Sequence, residues 1–351
     1  MPLPSFLLYG ANGYTGSLIA GMAIARGLRP ILAGRNAVAV EGIARARGLE
    51  HRVFGLDDPA ALDQGLRGIS AVLHCAGPFV RTFQPMADAC MRNSIHYLDV
   101  TGEVAVFEAL AARNAEAKAA GVMLLPGTGF DVVPSDCLAA HLKRRLPSAT
   151  HLALAISSLS RISRGTATTI AENIGHGGLV RKDGVLTHVP AAWKTRRIDF
   201  GRGPVKAITI PWGDVSTAYY STGIANIEVY LAAPLGTRLA ARASRYMGWA
   251  LASSLAQRFF KRRIQEGPAG PTDEERARGR SLLWGEASDG AGRCAVARLR
   301  GPEGYTLTAL AALAILRRVL AGEAPPGFQT PATAYGPDFV LDLDGVNRED
   351  L

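Results

Sequence analysis

The sequence predicts an α/β protein, with a doubly wound parallel sheet in its N-terminal part and a second α+β domain built on a mixed or antiparallel sheet. Two observations predict the first sheet. Short apolar runs alternate with helical patterns at crossover spacing, and a glycine-rich turn follows the first run. The sequence pattern changes near Asp136, where strand-like runs become separated by Gly-rich stretches, and this change predicts the second domain.

Each predicted strand of the first sheet is a short apolar run, and each predicted helix between them has apolar residues at helical spacing. The predicted strands are residues 5–9, 30–33, 51–54, 71–75, 96–98 and 122–125. The predicted helices are residues 15–26, 38–47, 59–66, 84–93 and 104–120. In such a sheet the ligand binds beyond the carboxyl ends of the strands.

The second half mixes strands and helices without a regular alternation. The predicted strands are residues 152–157, 205–210, 225–232, 282–286 and 295–299, and the predicted helices are residues 166–174, 235–260 and 305–320. The Gly/Pro-rich tail after the last helix has little periodicity.

At 351 residues the chain is long for one domain. We expect a nucleotide-binding domain at 1–135, a substrate domain at 136–304, and a helix with its tail at 305–351.

The composition excludes several classes of protein. Hydrophobic residues make up 48% of the chain and charged residues 20%, which differs from disordered and collagen-like sequences. The cysteines, Cys75, Cys90, Cys137 and Cys294, lack C-x-x-C spacing, so we expect neither a disulfide scaffold nor a metal site. The longest apolar stretch, Leu307–Leu316, is about half of a membrane span, and the N-terminus has no secretory pattern. We expect a cytoplasmic protein, soluble or peripheral to a membrane.

The net charge of +9 suits nucleic acid, an anionic membrane or a phosphorylated cofactor. The arginines are spread along the chain without a basic cluster interleaved with aromatic residues, so we expect no nucleic-acid partner. The sequence is compatible with a monomer or an oligomer.

A GxxGxxG turn joins the first predicted strand to the first predicted helix. The first glycine permits a tight turn, the second lets the backbone approach a diphosphate, and the third lets the helix pack on the strand, while N–H groups at the helix start face the anion. The turn therefore predicts a dinucleotide site. Its residues are Gly10, Asn12, Gly13, Tyr14, Thr15 and Gly16.

The end of the second strand indicates which dinucleotide binds. An NAD enzyme places an acid there for the ribose hydroxyls, but this chain reads Gly34-Arg35-Asn36, with no acid before Glu41. The Arg35 guanidinium suits a 2′-phosphate, with which it forms charge-assisted hydrogen bonds. The alternative is a solvated arginine at a helix start. The sequence favours NADP.

A further turn follows the fourth strand, where a nicotinamide lies in this topology. Its residues are Ala76, Gly77, Pro78 and Phe79. Gly77 allows close approach of the backbone and Pro78 fixes the turn. His74, two residues before Ala76, is a candidate acid, but strand alternation favours a structural role inside the sheet.

Taken together, these motifs resemble the saccharopine dehydrogenase-like family of NADP-binding oxidoreductases. The matching runs are Gly10–Gly16, Ala33–Arg35, Gly77–Phe79, His96–Asp99, Thr101–Glu103, Gly129–Asp131 and Pro134–Asp136, in the family's order. The resemblance implies a Rossmann domain, NADP(H), hydride transfer and a second domain on a mixed sheet, and it adds Thr101 to the cofactor site. It also implies that the final helix and tail return towards the first domain. The chain is closer to the branch of trans-acting enoyl reductases of lipid biosynthesis than to true saccharopine dehydrogenases.

Hydride transfer still requires a proton source. Asp131, His176 and Tyr220 are the candidates, with Tyr219 as an alternative to Tyr220. Each also has a structural interpretation: Asp131 as a turn or cap residue, His176 as a loop residue, and the tyrosines as half-buried strand aromatics. We expect Asp99 and Glu103 to fix the loop near the cofactor.

The predicted helix at 235–260 is amphipathic with a basic complement. This pattern fits a helix packed on its own core with solvated arginines. It also fits an interfacial helix that contacts anionic lipid, with peripheral membrane contact through residues 235–263.

Three functional hypotheses follow. The first is an NADP-dependent reductase of a hydrophobic or lipid-like small molecule, with an enoyl group first. The second is an opine-type imine reductase of an amino-acid-derived substrate, with Arg161, Arg164 and Lys182 as candidate clamps for carboxylates. The third is a non-catalytic, membrane-associated NADP-binding protein.

Overall fold

The computed structural model describes residues 5–158, 161–173, 177–251 and 253–351. Two compact units divide the chain: the first runs up to Val133 and includes Leu307–Ala334, and the second contains Pro134–Thr306 and Tyr335–Leu351.

In chain order the strands are β1 Phe6–Tyr9, β2 Ile31–Gly34, β3 His51–Val53, β4 Ala71–His74, β5 His96–Asp99, β6 Met123–Leu125, β7 His151–Ser158, β8 Gly178–Lys182, β9 Val185–Val189, β10 Thr195–Asp199, β11 Pro204–Thr209, β12 Asn226–Ala232, β13 Arg280–Ser288, β14 Cys294–Pro302, β15 Gly327–Phe328 and β16 Asn347–Asp350. The helices are α1 Tyr14–Ala25, α2 Ala37–Arg47, α3 Pro59–Gly65, α4 Phe79–Arg92, α5 Val104–Ala112, α6 Asn114–Ala119, α7 Val133–Arg145, α8 Arg164–Asn173, α9 Asp214–Thr222, α10 Leu235–Leu251, α11 Ser254–Glu266, α12 Asp273–Arg278, α13 Gly304–Leu320 and α14 Pro331–Tyr335, with a 3₁₀ helix at Phe339–Asp342.

The first unit contains a parallel sheet in the order β15-β6-β5-β4-β1-β2-β3. Strands β1, β2, β4 and β6 are buried along their whole length, as expected of parallel strands that are covered on both faces. The predicted doubly wound α/β fold is confirmed. One predicted helix is divided: residues 104–120 form α5 and α6 with Arg113 between them, where its guanidinium bonds Asp88 and Glu116.

The second unit contains a mixed sheet in the order β10-β11-β12-β7-β13-β14-β16, with the β8–β9 hairpin attached to β12. Among the described strands, its pairings are antiparallel except for β12 with β7. The predicted α+β domain with a mixed sheet is confirmed. Ala155, Ile198, Tyr230 and Trp284 of this sheet belong to one apolar cluster.

Two sequence interpretations for this half were wrong in detail. Residues 235–260 form two helices, because the Ser253 side chain accepts a hydrogen bond from the Ala256 N–H and caps a new helix, α11. Tyr219 and Tyr220, whose structural interpretation was as half-buried strand aromatics, lie on helix α9. The tail after residue 320 contains β15, α14, the 3₁₀ helix and β16.

Strand β15 pairs with β6 in the first unit, and β16 pairs with β14 in the second. Among the described residues, no helix has the length and apolar character required to cross a bilayer.

Candidate functional site

The loops after β1, β4, β5 and β6 leave the same edge of the first sheet, because parallel strands end on the same side. The strand order reverses between β1 and β4: β2 and β3 follow β1 on one side, while β4, β5 and β6 extend on the other. Ligands of doubly wound sheets bind at such a reversal. The loops at 10–13 and 75–78 flank it.

The three glycines of the first turn are required for different reasons. Gly10 has φ +82°, and a Cβ there would lie 2.8 Å from the Ala76 nitrogen, so the loop after β1 packs on the loop after β4. A Cβ at Gly16 would lie 2.9 Å from the Ala11 Cα, so α1 packs on the turn. Gly13 has φ −75°, and of the described atoms only the Gly10 carbonyl oxygen, at 3.3 Å, lies near its added Cβ. Protein packing therefore does not require glycine at position 13.

Gly13 is also the N-cap of α1 and offers no side chain to the first turn of the helix. Asn12 and Gly13 are exposed, and Tyr14 and Thr15 are half-buried. N–H groups of an uncapped first turn, together with the helix dipole, favour a bound anion. The turn thus has both the space and the donors for a diphosphate.

Arg35 is exposed directly after β2, and within the part of the chain that the structure describes its guanidinium has no hydrogen bond or ion pair. Its charge does act on Tyr9: burial raises the pKa of the Tyr9 hydroxyl to about 12, and Arg35 opposes that rise. The Asn36 side chain accepts from the Ala39 N–H and caps α2. A buried Gly34 completes the strand end. Arg35 is therefore available to a phosphate.

The loop after β4 includes Ala76, Pro78 and Phe79, which are half-buried, and Gly77, which is exposed. The Gly77–Pro78 peptide bond is cis. Phe79 opens helix α4, so this helix begins five residues before its predicted start.

His74 stabilises this loop from inside the sheet. Its side chain is fully buried among Tyr9, Phe79 and Tyr97, and burial lowers its pKa to about 3. The Thr82 hydroxyl donates to the Ala76 carbonyl (2.7 Å), so His74 Nε2 donates to Thr82 (3.0 Å). A neutral, buried imidazole in this arrangement is structural.

Asp99 and Glu103 hold the neighbouring loops, as the sequence indicates. The Glu103 carboxylate accepts hydrogen bonds from the Phe79 and Val80 N–H groups at the start of α4 (2.9 and 2.8 Å). Asp99 accepts from the N–H groups of Thr101 and Gly127 and from the Tyr97 hydroxyl.

Thr101, predicted to contact the cofactor, lies in the same network. Its hydroxyl accepts from the Glu103 N–H (3.0 Å), and its side chain is buried. The structure thus places it behind the loop surface.

Asp131 lies in the loop after β6, in the same unit and at the same edge. A Cβ on Gly102 would lie 2.8 Å from Asp131 Oδ2, so the carboxyl group packs directly against the loop after β5. The Phe130 N–H donates to the Thr308 hydroxyl (3.0 Å), which fixes this loop on α13. Asp131 is half-buried, and burial raises its pKa to about 6.

Tyr220 and the candidate cations belong to the second unit. Tyr220 is 37% exposed on α9, with its ring edge against Tyr219 (5.7 Å). Arg161 pairs with Glu275 (3.1 Å), while Arg164 and Lys182 are exposed. His176 lies outside the described residues.

Sequence reasoning missed Thr82, which connects His74 to the cofactor-side loop, and the two N–H groups that Glu103 binds. Neither has a spacing signal: Thr82 lies inside a helix, and Glu103 is distant in sequence from its partners.

Comparison with known proteins agrees with this geometry. Residues 6–125 match the family model described as saccharopine dehydrogenase NADP binding domain. A trans-acting enoyl reductase of Mycobacterium leprae is 30% identical over 148 residues, which are 40% of this chain and 35% of that protein. A saccharopine dehydrogenase-like oxidoreductase of Homo sapiens is 28% identical over 151 residues, 37% of this chain and 35% of that protein. The chain thus spans about a third of the length of these relatives.

The fold also has a solved counterpart. Saccharopine dehydrogenase (L-Glu forming) of Saccharomyces cerevisiae superposes with a TM-score of 0.67 over 99% of this chain and all of that chain, at 11% identity. This likeness concerns the fold alone.

Proposed function

We propose that this chain, whose residues 6–125 match the family model of the saccharopine dehydrogenase NADP binding domain, reduces a hydrophobic, lipid-like substrate at the carbon–carbon double bond of an enoyl group. The single observation that carries the choice of reaction is the similarity to relatives named trans-acting enoyl reductase. The class of enzyme, an NADP-dependent oxidoreductase, rests on the domain itself.

The residues of the glycine turn fit this cofactor. Gly13 leaves room for the diphosphate, the first turn of α1 directs N–H groups to it, and Arg35 is available to the 2′-phosphate. When bound, NADPH supplies the hydride for one carbon of the double bond. The chain must then supply a proton to the other carbon.

Asp131 is the carboxyl group that we assign to this proton. It keeps some exposure at the cofactor edge, and a pKa of about 6 leaves a useful fraction protonated near neutral pH. Asp99 also has a pKa raised to about 6 by burial, but its side chain is fully buried and both of its oxygens accept hydrogen bonds. Glu103 is likewise committed to two N–H groups.

An uncharged acyl substrate is also consistent with the second unit. An amino-acid-derived substrate requires cations for its carboxylates, since burying a carboxylate without a partner costs several kcal/mol. Of the three cations considered for such a clamp, Arg161 is already paired with Glu275. This pairing favours the enoyl substrate over the opine-type one.

Steady-state assays test the proposal. The purified protein is mixed with NADPH and trans-2-enoyl thioesters of short and long acyl chains, and NADPH absorbance and product mass are followed. We expect NADPH oxidation with a product heavier by two hydrogens, faster with longer chains, and lost in Gly13→Val. Oxidation only with an amino acid plus a 2-oxo acid would assign the opine-type reaction instead. NADPH binding without oxidation in any mixture would overturn the enzyme assignment.

A further inference from the structure

Helices α10 and α11 expose large apolar side chains. On α10, Leu235, Leu239 and Tyr246 are 62%, 55% and 82% exposed. Their spacing of four and seven residues places them on one face of the helix. On α11, Phe259 is 58% exposed. We call helices α10 and α11 together the basic amphipathic surface.

The same segment is strongly cationic. Between Glu228 and Glu266 the chain contains seven arginines and lysines and no acidic residue. The arginines of this surface whose side chains are exposed are Arg242, Arg245, Arg258, Arg262 and Arg263. Glu266 pairs with Arg262 (3.2 Å) and Arg263 (3.8 Å) at the very end of α11. The charge of the segment is therefore largely uncompensated by its own residues.

Polar contacts hold α10 in this orientation. Arg245 donates to the carbonyl oxygens of Ala191 and Ala192 (both 2.6 Å), and Arg242 donates to the Thr195 hydroxyl (3.0 Å). Tyr246 follows Arg245 by one residue and so lies about 100° further round the helix. Arg242 follows Leu235 by seven residues and lies on the face of Leu235 and Tyr246, whereas Arg245 lies about a quarter turn round the helix from it. The Arg245 anchor therefore leaves the leucine and tyrosine face exposed. The described apolar residues of this face, Leu235, Leu239 and Tyr246, are exposed rather than packed on a core.

We propose that the basic amphipathic surface docks on an anionic lipid bilayer, with α10 lying in the plane of the interface. Leucine and aromatic side chains on one face with a surplus of arginine are the combination that binds such interfaces. Cations near an anionic leaflet each add to the attraction. A second copy of this chain is a poor occupant, since two surfaces of the same charge repel. The inference does not depend on the proposed reaction.

Vesicle flotation of the whole protein tests this inference without any substrate. Vesicles of phosphatidylcholine alone are compared with vesicles that contain about 30 mol% phosphatidylglycerol, at low and high ionic strength. We expect flotation with the anionic vesicles only, and weaker flotation at high salt. Equal binding to both vesicle types, or no binding to either, would overturn the proposal; the latter would leave an acidic protein as the partner.

Two sets of variants assign the binding to this surface. Removing three charges by Arg258→Gln, Arg262→Gln and Arg263→Gln should weaken partitioning by about fivefold per arginine, hence about a hundredfold. The matched control removes three exposed charges elsewhere, with Arg67→Gln, Arg202→Gln and Arg278→Gln, and should change partitioning by severalfold at most. If both triple variants bind alike, the charges of α11 do not carry the docking.

The apolar contribution has its own pair of variants. Leu235→Gln with Leu239→Gln should weaken partitioning at least tenfold, because two exposed leucines no longer enter the interface. The control, Val38→Gln with Val185→Gln, also replaces two exposed apolar residues and should bind as the unchanged protein does. Unchanged partitioning of the leucine variant would overturn docking through the apolar face. Urea unfolding of each variant confirms that it is folded.

Discussion

Replacing Gly13 by valine should remove NADPH binding and leave the fold intact. The backbone at position 13, φ −75° and ψ 165°, lies in the extended region, which valine adopts readily. Of the described atoms, only the Gly10 carbonyl oxygen lies near an added Cβ, at 3.3 Å. Valine is a poorer N-cap than glycine, at a cost of about 1 kcal/mol, and removing a glycine from the unfolded chain offsets about 0.4–1 kcal/mol. The free energy of unfolding should therefore change by less than about 1 kcal/mol.

The effect on the cofactor is much larger. The valine side chain would stand in front of the first turn of α1, where the N–H groups receive the diphosphate. A hydrogen bond to a charged group contributes about 1.5–3 kcal/mol. Excluding the diphosphate from two such groups costs about 3–6 kcal/mol, which is at least a hundredfold in Kd.

Two further variants distinguish steric exclusion of the diphosphate from electrostatic repulsion of it and from the packing of α1 on the turn. Gly13→Asp supplies a good N-cap, so it should maintain or raise stability, yet its carboxylate repels the diphosphate and should abolish binding. Gly16→Ala places a Cβ 2.9 Å from the Ala11 Cα, where backbone must move, so it should lower the free energy of unfolding by about 1–3 kcal/mol.

Calorimetric titration with NADPH and urea unfolding measure both quantities on each protein. Unchanged NADPH affinity in a folded Gly13→Val or Gly13→Asp protein would refute the placement of the diphosphate. If Gly13→Val were unfolded while Gly16→Ala stayed as stable as the unchanged protein, the roles assigned to the two glycines would be refuted. Those roles are room for the ligand at Gly13 and packing of α1 at Gly16.

Three other variants test the rest of the edge. Arg35→Gln should reduce the preference for NADPH over NADH by about tenfold or more in Kd, because one charged hydrogen-bonding partner of the 2′-phosphate is lost; an unchanged ratio of the two dissociation constants would contradict this role. Glu103→Gln should lower the free energy of unfolding by about 2 kcal/mol, since an amide cannot accept from both the Phe79 and Val80 N–H groups. A urea midpoint equal to that of the unchanged protein would argue against a stabilising role of these two hydrogen bonds. The pKa of Asp131 is raised in the folded state, so the free energy of unfolding falls as pH rises from about 4 to about 6, by up to about 3 kcal/mol. In urea unfolding, Asp131→Asn should flatten this decline and leave only the part due to Asp99. An unaltered dependence on pH would show that Asp131 does not titrate in this range.

The first sheet and the cofactor turn were predictable because backbone requirements leave marks in sequence. Four-residue apolar runs such as Phe6–Tyr9 are what a parallel strand covered on both faces requires. Gly10 and Gly16 occur where any side chain would collide with backbone. Strand β2 is followed by Arg35 and by no acidic residue before Glu41, which agrees with the match of residues 6–125 to an NADP-binding family model.

The second unit was less predictable because its elements are set by contacts distant in sequence. Tyr219 and Tyr220 have strand propensity, yet Asp214–Thr222 is a helix that ends at Gly223 with φ +69°. The strand Asn347–Asp350 has no apolar alternation and forms by pairing with β14. Only local patterns can be read from one chain, so a strand of this kind leaves no signal.

The carboxyl groups of the cofactor edge illustrate how position alone fails to define a role. Asp99 ends β5, Glu103 follows β5, and Asp131 follows the neighbouring strand β6. Their spacing in the sequence does not distinguish a carboxylate that holds loops together from one that delivers a proton. Protonating Glu103 would weaken two hydrogen bonds from backbone N–H groups, and protonating Asp99 would weaken bonds that join two loops. Burial raises the pKa of Asp131, so desolvation favours its protonated form, and the residue is half-buried in the loop after β6. This difference in environment is the basis on which we assign proton delivery to Asp131.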